Sequence, residues 1–195
     1  MRPRILTPIA TLVAATLMAG PALAHSAGHE ANGFMHGLAH PVFGPDHLLA
    51  MLAVGLWSGF VLPRRVWAGA LSFMAAMAGG AALSWAGIGL PFVETMIVAS
   101  VVAFGLLTLL SHRGQARAVT AASLGAIALF ATAHGHAHAT EAAGNALAYL
   151  AGFLISTAVL HGVGIVLAQA IAARPALQRS IGAGIAASGL LLMFG

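Results

Sequence analysis

Four ionisable side chains lie within the apolar stretch 33–62, which is long enough to cross a bilayer: His36, His40, Asp46 and His47. An ionisable group at membrane depth costs roughly 2.5 kcal/mol or more on insertion scales, so it is seldom kept there without a function. On a helix of about 3.6 residues per turn, the three histidines fall on nearly one face. Imidazoles at that spacing can share one metal ion, and the aspartate can add a carboxylate oxygen. The pattern predicts a metal path inside a membrane-spanning segment.

Two prolines, Pro41 and Pro45, interrupt backbone hydrogen bonding on either side of Gly44. Proline removes a donor and clashes with the preceding turn, so we expect the helix to kink or unwind here. Broken helices with freed carbonyls are typical of transporter substrate sites. A competing interpretation is that Asp46 only caps the restarted helix and pairs with His47. That interpretation does not account for the two earlier histidines.

A second group of candidate ligands lies at the predicted outer junction of the fourth and fifth apolar spans: His134, His136, His138 and Glu141. Histidines that alternate over five residues are dense enough to bind a divalent ion, although such a run also suits a pH-sensitive solvated loop. His161 lies deep in the fifth span, where a lone histidine can be purely structural. Because the first span already supplies ligands at mid-depth, we assign His161 to the same metal path.

The composition of the chain is that of a membrane protein. Of its 195 residues, 60% are hydrophobic and 6% are charged, and the mean hydropathy is +0.96, whereas a soluble domain has about 25% charged residues. With so few polar groups the chain cannot cover its surface in water, so the bilayer is its solvent. The basic residues are all arginines, scattered singly or in pairs, which argues against nucleic-acid binding. Because cysteine is absent, any metal must be held by nitrogen, oxygen or thioether.

The fold class that we predict is all-α, a polytopic membrane helix bundle of about six transmembrane helices after a cleaved signal peptide. Residues 1–24 have the positive start, the apolar stretch and the Ala-Leu-Ala cleavage site of an export signal. Residues 25–195 then form a single transmembrane domain, with predicted spans at 33–62, 66–87, 91–111, 118–134, 142–172 and 178–194.

The arginines give an independent test of this topology. If the mature N-terminus lies outside, every arginine of the mature chain falls in one of three inner loops, at 63–65, 112–117 and 173–179. An excess of arginine on one side is the positive-inside pattern. The sequence therefore predicts a multi-pass protein of the bacterial inner membrane whose mature N-terminus lies in the periplasm.

The run from His40 to Trp57, HPVFGPDHLLAMLAVGLW, resembles the signature of the HupE/UreJ family. The His-rich start after the signal peptide and the later Gly-His-Ala-His-Ala run with Glu141 are also similar to that family, and the likeness extends over the whole chain. These membrane proteins are associated with hydrogenase and urease maturation and are regarded as nickel permeases. The larger nickel/cobalt permeases, with a His-x4-Asp-His helix, are less similar, because five residues separate His40 from Asp46.

The resemblance divides the candidate ligands into a main nickel path, with His36, His40, Asp46 and His47, and an outer group, with His134, His136, His138 and Glu141. It implies a secondary-type permease, not an enzyme, that imports Ni2+ from the periplasm to the cytoplasm without a permanently bound cofactor. Co2+ and Zn2+ are alternative cargoes. The sequence has no Walker-type phosphate-binding loop, so we expect no use of ATP. Expected partners are the metal ion and the lipid bilayer, and further candidates are a second copy of the chain or a cytoplasmic nickel chaperone.

Three other functions would use the same residue types. A membrane-embedded metallohydrolase needs a ligand set with one open position and a general base, but the sequence has neither a His-Glu-x-x-His stretch nor a Gly-x-Ser-x-Gly turn. A bis-histidine haem carrier would pair, for example, His47 with His161, but the clustering of histidines with Asp46 favours a metal ion. A periplasm-facing sensor or scaffold would bind metal without moving it.

Overall fold

The protein is all-helical over the residues that the computed structural model describes, 33–142 and 145–195. The helices of this part of the chain are α1 (Gly33–Phe43), α2 (Pro45–Val61), α3 (Ala68–Trp85), α4 (Val93–Leu110), α5 (Arg117–Glu141), α6 (Ala146–Ala170) and α7 (Pro175–Phe194). The predicted all-α fold class is therefore confirmed. The predicted signal peptide at 1–24 lies outside the described residues.

Five of these helices, α3 to α7, are long and apolar enough to cross a membrane. They have 18 to 25 residues each, and their apolar surface is only partly buried inside the bundle. The remaining apolar surface therefore faces lipid, as expected for a multi-pass membrane protein. The helix α2 is also apolar but shorter, with 17 residues.

The predicted span 33–62 is divided into α1 and α2 by a break at Gly44. Gly44 has an extended backbone (φ −85°, ψ 111°) and is the N-cap of α2, and Pro45 occupies the first turn. A residue that precedes proline is pushed out of the helical region by the proline ring, and proline itself is tolerated where a helix starts. The break that we predicted from the two prolines is therefore present. It separates His40, near the end of α1, from His47, in the first turns of α2.

The helix α5 extends further than predicted. We predicted a span at 118–134 and placed residues 134–141 at a junction between spans, but α5 continues without interruption to Glu141. Residues 134–141 are therefore helical and not an irregular connection, because this segment has no proline and its alanines favour helix. Its three histidines, which would be solvated in a loop, are buried instead.

Small residues allow the helices to pack at close range. A Cβ atom added at Gly37 or Gly152 would collide with the facing backbone between α1 and α6, and one at Gly55 or Gly164 would do so between α2 and α6. On the opposite side of the bundle, α3 packs closely against α5 and α4 packs closely against α7. Close backbone approach through small residues is the usual means of helix association in membranes.

Gly135 provides a test of this packing, because a Cβ atom there would collide with the carbonyl oxygen of Met77 on α3. We expect Gly135→Ala to destabilise the protein by about 1–3 kcal/mol, as overpacking typically does. Gly125, nearly three turns earlier on α5, faces open space and is the matched control. Gly125→Ala should leave the stability unchanged or raise it, because alanine favours helix over glycine. Thermal unfolding of the two variants in detergent measures both effects, and equal melting temperatures would contradict the predicted difference.

Candidate metal centre

Three imidazoles from three different helices meet at one point of the bundle. His40 on α1, His47 on α2 and His138 on α5 each offer a ring nitrogen, and these nitrogens all lie within 4.8 Å of one another. The ring centroid of His138 is 4.7 Å from that of His40 and 4.6 Å from that of His47. The structure thus combines two residues of the predicted main path with one residue of the predicted outer group. We call these three residues the histidine triad.

Asp46 fixes the orientation of one triad member. Its Oδ1 atom lies 2.6 Å from Nδ1 of His47 and also accepts the backbone N–H of His47 at 2.8 Å. A carboxylate can only accept, so Nδ1 carries the hydrogen and Nε2 of His47 presents a free lone pair. A carboxylate that holds one imidazole nitrogen while the other binds metal is a recurrent arrangement in metal sites. Asp46 therefore pairs with His47, as the competing interpretation required, although Gly44 and not Asp46 is the N-cap of α2. The pairing also prepares His47 as a ligand.

Neither neutral tautomer of His138 satisfies both of its ring contacts. Its Nε2 atom is 2.7 Å from Nε2 of His47, and its Nδ1 atom is 3.4 Å from a carboxylate oxygen of Glu141. If Nδ1 carries the hydrogen, two bare Nε2 atoms face each other. If Nε2 carries it, the bare Nδ1 faces the carboxylate. A cation between the two Nε2 atoms removes this conflict, because both lone pairs then point at positive charge.

The distance between these two nitrogens is close to what a shared metal requires. Two nitrogens at about 2.1 Å from one metal, at right angles, are about 3 Å apart. The observed separation of 2.7 Å is slightly shorter. The third triad member, His40, has its Nε2 atom 3.9 Å from the Glu141 carboxylate. Two carboxylates, of Asp46 and Glu141, therefore lie beside the three imidazoles.

The triad is apolar on one side and open on the other. The ring of Phe153 lies 4.0 Å from that of His138 and 6.2 Å from that of His47, and it is completely buried. The side chains of His40 and Glu141 are 21% and 47% exposed, so the site opens at the end of the bundle where α5 ends. We call this the open end of the site.

His36 extends the line of imidazoles beyond the triad. His36 lies one turn before His40 on α1. Its ring is 6.0 Å from that of His40 and 5.4 Å from that of Tyr149. Its Nδ1 atom is buried and has no hydrogen-bond partner among the described residues. The predicted neighbourhood of His36, His40 and His47 is therefore present, although the break at Gly44 rather than a continuous helix face brings them together.

His134 lies on the same face of α5 as His138, one turn earlier, and its ring is 4.9 Å from that of His47. The hydroxyl of Ser100 donates to the carbonyl of Ile97 at 2.6 Å, so it must accept from Nε2 of His134 at 3.0 Å. The hydrogen of His134 is therefore on Nε2 and its Nδ1 is bare. That nitrogen is buried and has no partner among the described residues. His134 is a further candidate ligand next to the triad.

The structure does not bring His136 to the triad. Residues two apart point to nearly opposite sides of a helix, and Nε2 of His136 lies 2.9 Å from the carbonyl oxygen of Ile88 in the segment after α3. His161 is also remote from the triad and bonds through Nδ1 to the carbonyl oxygen of Met51. Sequence reasoning missed Tyr149, Phe153 and Ser100, which contact the histidines. The first two are four residues apart on α6, an aromatic pair that was visible in the sequence.

Comparison with known proteins covers nearly the whole chain. The family model described as HupE / UreJ protein matches residues 13–192 of the chain. The chain belongs to the HupE/UreJ family. It is also 40% identical over 192 residues to "Protein HupE" of Rhizobium leguminosarum bv. viciae, an alignment that covers 96% of this chain and 97% of that protein. No solved structure matches the chain.

Membership of the HupE/UreJ family fits the helices and the candidate site. The family is one of hydrogenase and urease accessory proteins, generally associated with transport of nickel or cobalt. It is a transport and accessory family. The fold and the family therefore agree. Both indicate a multi-pass membrane protein whose partners include the bilayer and a metal ion.

Proposed function

We propose that this HupE/UreJ protein is a secondary-type nickel permease that imports Ni2+ from the periplasm to the cytoplasm across the bacterial inner membrane. The observation that carries the proposal is the convergence of His40, His47 and His138, with their nitrogens within 4.8 Å of one another. Three helices supply these side chains, so the site forms only when the bundle is assembled. The nickel would serve the maturation of a hydrogenase or a urease.

The chemistry of the site suits a borderline divalent cation. Imidazole and carboxylate ligands without thiolate favour nickel, cobalt or zinc over Cu(I). The charges of Asp46 and Glu141 together equal and oppose the charge of one divalent ion, so a bound ion leaves little net charge inside the membrane. Cobalt and zinc are the alternative cargoes, because neither the ligand types nor the affinity order separates them from nickel.

The arrangement suggests an order of events. A hydrated ion is captured at the open end, where Glu141 is partly exposed and His36 is near. It then exchanges water for the nitrogens of the triad, whose His47 is held ready by Asp46. Because the surrounding rings of Tyr149 and Phe153 exclude water, the charge of the ion is offset by protein groups alone.

Uptake by liposomes that contain the purified full-length protein tests this function. We expect saturable uptake of 63Ni, and competition among unlabelled nickel, cobalt and zinc identifies the preferred cargo. Runs with and without an imposed proton gradient identify the driving force. Liposomes with a His40→Ala, His138→Ala double variant are the control and should take up about as little as protein-free liposomes. If the unaltered protein passes none of the three metals under any gradient, the proposed function is wrong.

A further inference from the structure

A second potential ligand group lies deeper in the bundle, around His161 on α6. This residue is about 12 Å further along α6 than Phe153, which lines the triad, and it is completely buried. Its Nδ1 atom is 2.7 Å from the carbonyl oxygen of Met51. A carbonyl only accepts, so the hydrogen is on Nδ1 and the Nε2 lone pair is bare. That Nε2 atom is buried and has no partner among the described residues.

Met51 connects this imidazole with two further potential ligand atoms, its own sulfur and the hydroxyl of Thr157. Thr157 is one turn earlier on the same face of α6, and its hydroxyl donates to the thioether sulfur of Met51 at 3.3 Å. All three residues are completely buried. The group therefore offers an imidazole nitrogen, a hydroxyl oxygen and a thioether sulfur, which are ligands that a borderline or soft divalent ion accepts. We call His161, Thr157 and Met51 the inner group.

The ring of Phe73 on α3 contacts both the imidazole of His161 in the inner group and that of His134, which lies next to the triad. Its centroid is 5.4 Å from that of His134 and 5.1 Å from that of His161. Phe73 is completely buried and packs edge to face against Phe104 at 6.2 Å. An ion that moves from His134 to His161 would travel alongside this ring. A phenyl ring offers a cation weak attraction through its face but no lone pair.

We propose that His161, with Thr157 and Met51, is a second binding station for the transported cation, and that the Phe73 ring is the barrier between this station and the triad. This inference rests on the proposed function. Two stations separated by a movable ring allow an ion to be held on one side while the other side is closed, as alternating access requires. The buried bare nitrogen of His161 then has a ligand to bind, which a purely structural histidine would not need.

Changes in the size of residue 73 test the barrier. We expect Phe73→Trp, which enlarges it, to lower the rate of 63Ni uptake at saturating nickel at least tenfold. Phe73→Leu, which reduces it, should give a rate equal to or above that of the unaltered protein. Both variants should bind nickel at the triad with a Kd within about twofold of the unaltered value, measured by equilibrium dialysis of the purified protein. His161→Ala should keep that affinity and lose at least tenfold in uptake.

Phe104→Leu is the matched control, because Phe104 is equally buried and contacts Phe73 and Phe130 without pairing with an imidazole ring in the described residues. It should leave uptake and binding unchanged. If Phe73 has a purely structural role, both Phe73→Leu and Phe73→Trp should slow uptake. That result would contradict the proposal that the Phe73 ring is a barrier. Uptake by His161→Ala within twofold of the unaltered rate would overturn the second station. Absence of uptake by the unaltered protein would overturn the proposed function as well, so the two failures are distinguishable.

Discussion

Replacement of His47 by alanine is expected to abolish nickel uptake while the protein still folds into the membrane. His47 is the triad member whose Nε2 lies within 2.7 Å of His138 and whose Nδ1 is held by Asp46. Its loss removes a ligand and leaves the Asp46 carboxylate without its ring partner. Asp46→Asn removes the charge but not the ligand, so we expect a loss of about 10- to 100-fold in metal affinity, as is typical for a residue that orients a ligand. Uptake of 63Ni by cells and dialysis binding by purified protein measure the two effects.

His112→Ala is the control for these variants, because His112 is an exposed histidine in the segment after α4. It should take up nickel at the unaltered rate. The amount of each variant in the membrane fraction has to be compared with that of the unaltered protein. Nickel accumulation by His47→Ala at the unaltered rate would show that the triad is not the transport site.

The second large effect is a contrast between two histidines of α5 that are only two residues apart. His138→Ala should reduce nickel affinity at least as much as the loss of the His40 ligand, because its ring contacts both other triad members. His136→Ala should leave nickel affinity and uptake unchanged, because its Nε2 faces the carbonyl of Ile88 rather than the triad. Dialysis binding and liposome uptake of the two single variants give the comparison.

The opposite result is expected if residues 134–141 form a loop in which all three histidines bind metal. In that case, the two alanine variants would weaken uptake to a similar degree, and both would mainly raise the nickel concentration needed for half-maximal rate. Equal effects of His136→Ala and His138→Ala would therefore contradict the helical arrangement of the site. The melting temperatures of the two variants show whether either change acts through stability instead.

Local chemistry made one part of the site predictable from sequence. The break at Gly44 follows from the geometry of a single peptide unit, because Pro45 restricts the residue before it whatever the rest of the chain does. The pairing of Asp46 with His47 is also local, since adjacent residues at the start of a helix can reach each other. The fold class followed from composition, because a chain so poor in charge has few alternatives to membrane helices.

The rest of the site depends on contacts that no short segment contains. His138 and His47 are separated by 91 residues in sequence, and their side chains meet only when the assembled bundle brings the end of α5 near the start of α2. The alternation of histidines from 134 to 138 suggested one uniform cluster. Once the segment is helical, the first and third histidines lie on one face and the second on the other. Which arrangement forms depends on where α5 ends, and the sequence of α5 contains no proline that would indicate an earlier end.

X-ray absorption at the nickel edge of the nickel-loaded protein tests the central claim most directly, because it reports the ligands of the bound ion. Binding at the triad predicts a spectrum with the scattering of three imidazoles, reduced by one imidazole in His138→Ala and unchanged in His136→Ala. A spectrum without imidazole scattering, or one that is the same in both variants, would contradict a nickel site formed by His40, His47 and His138.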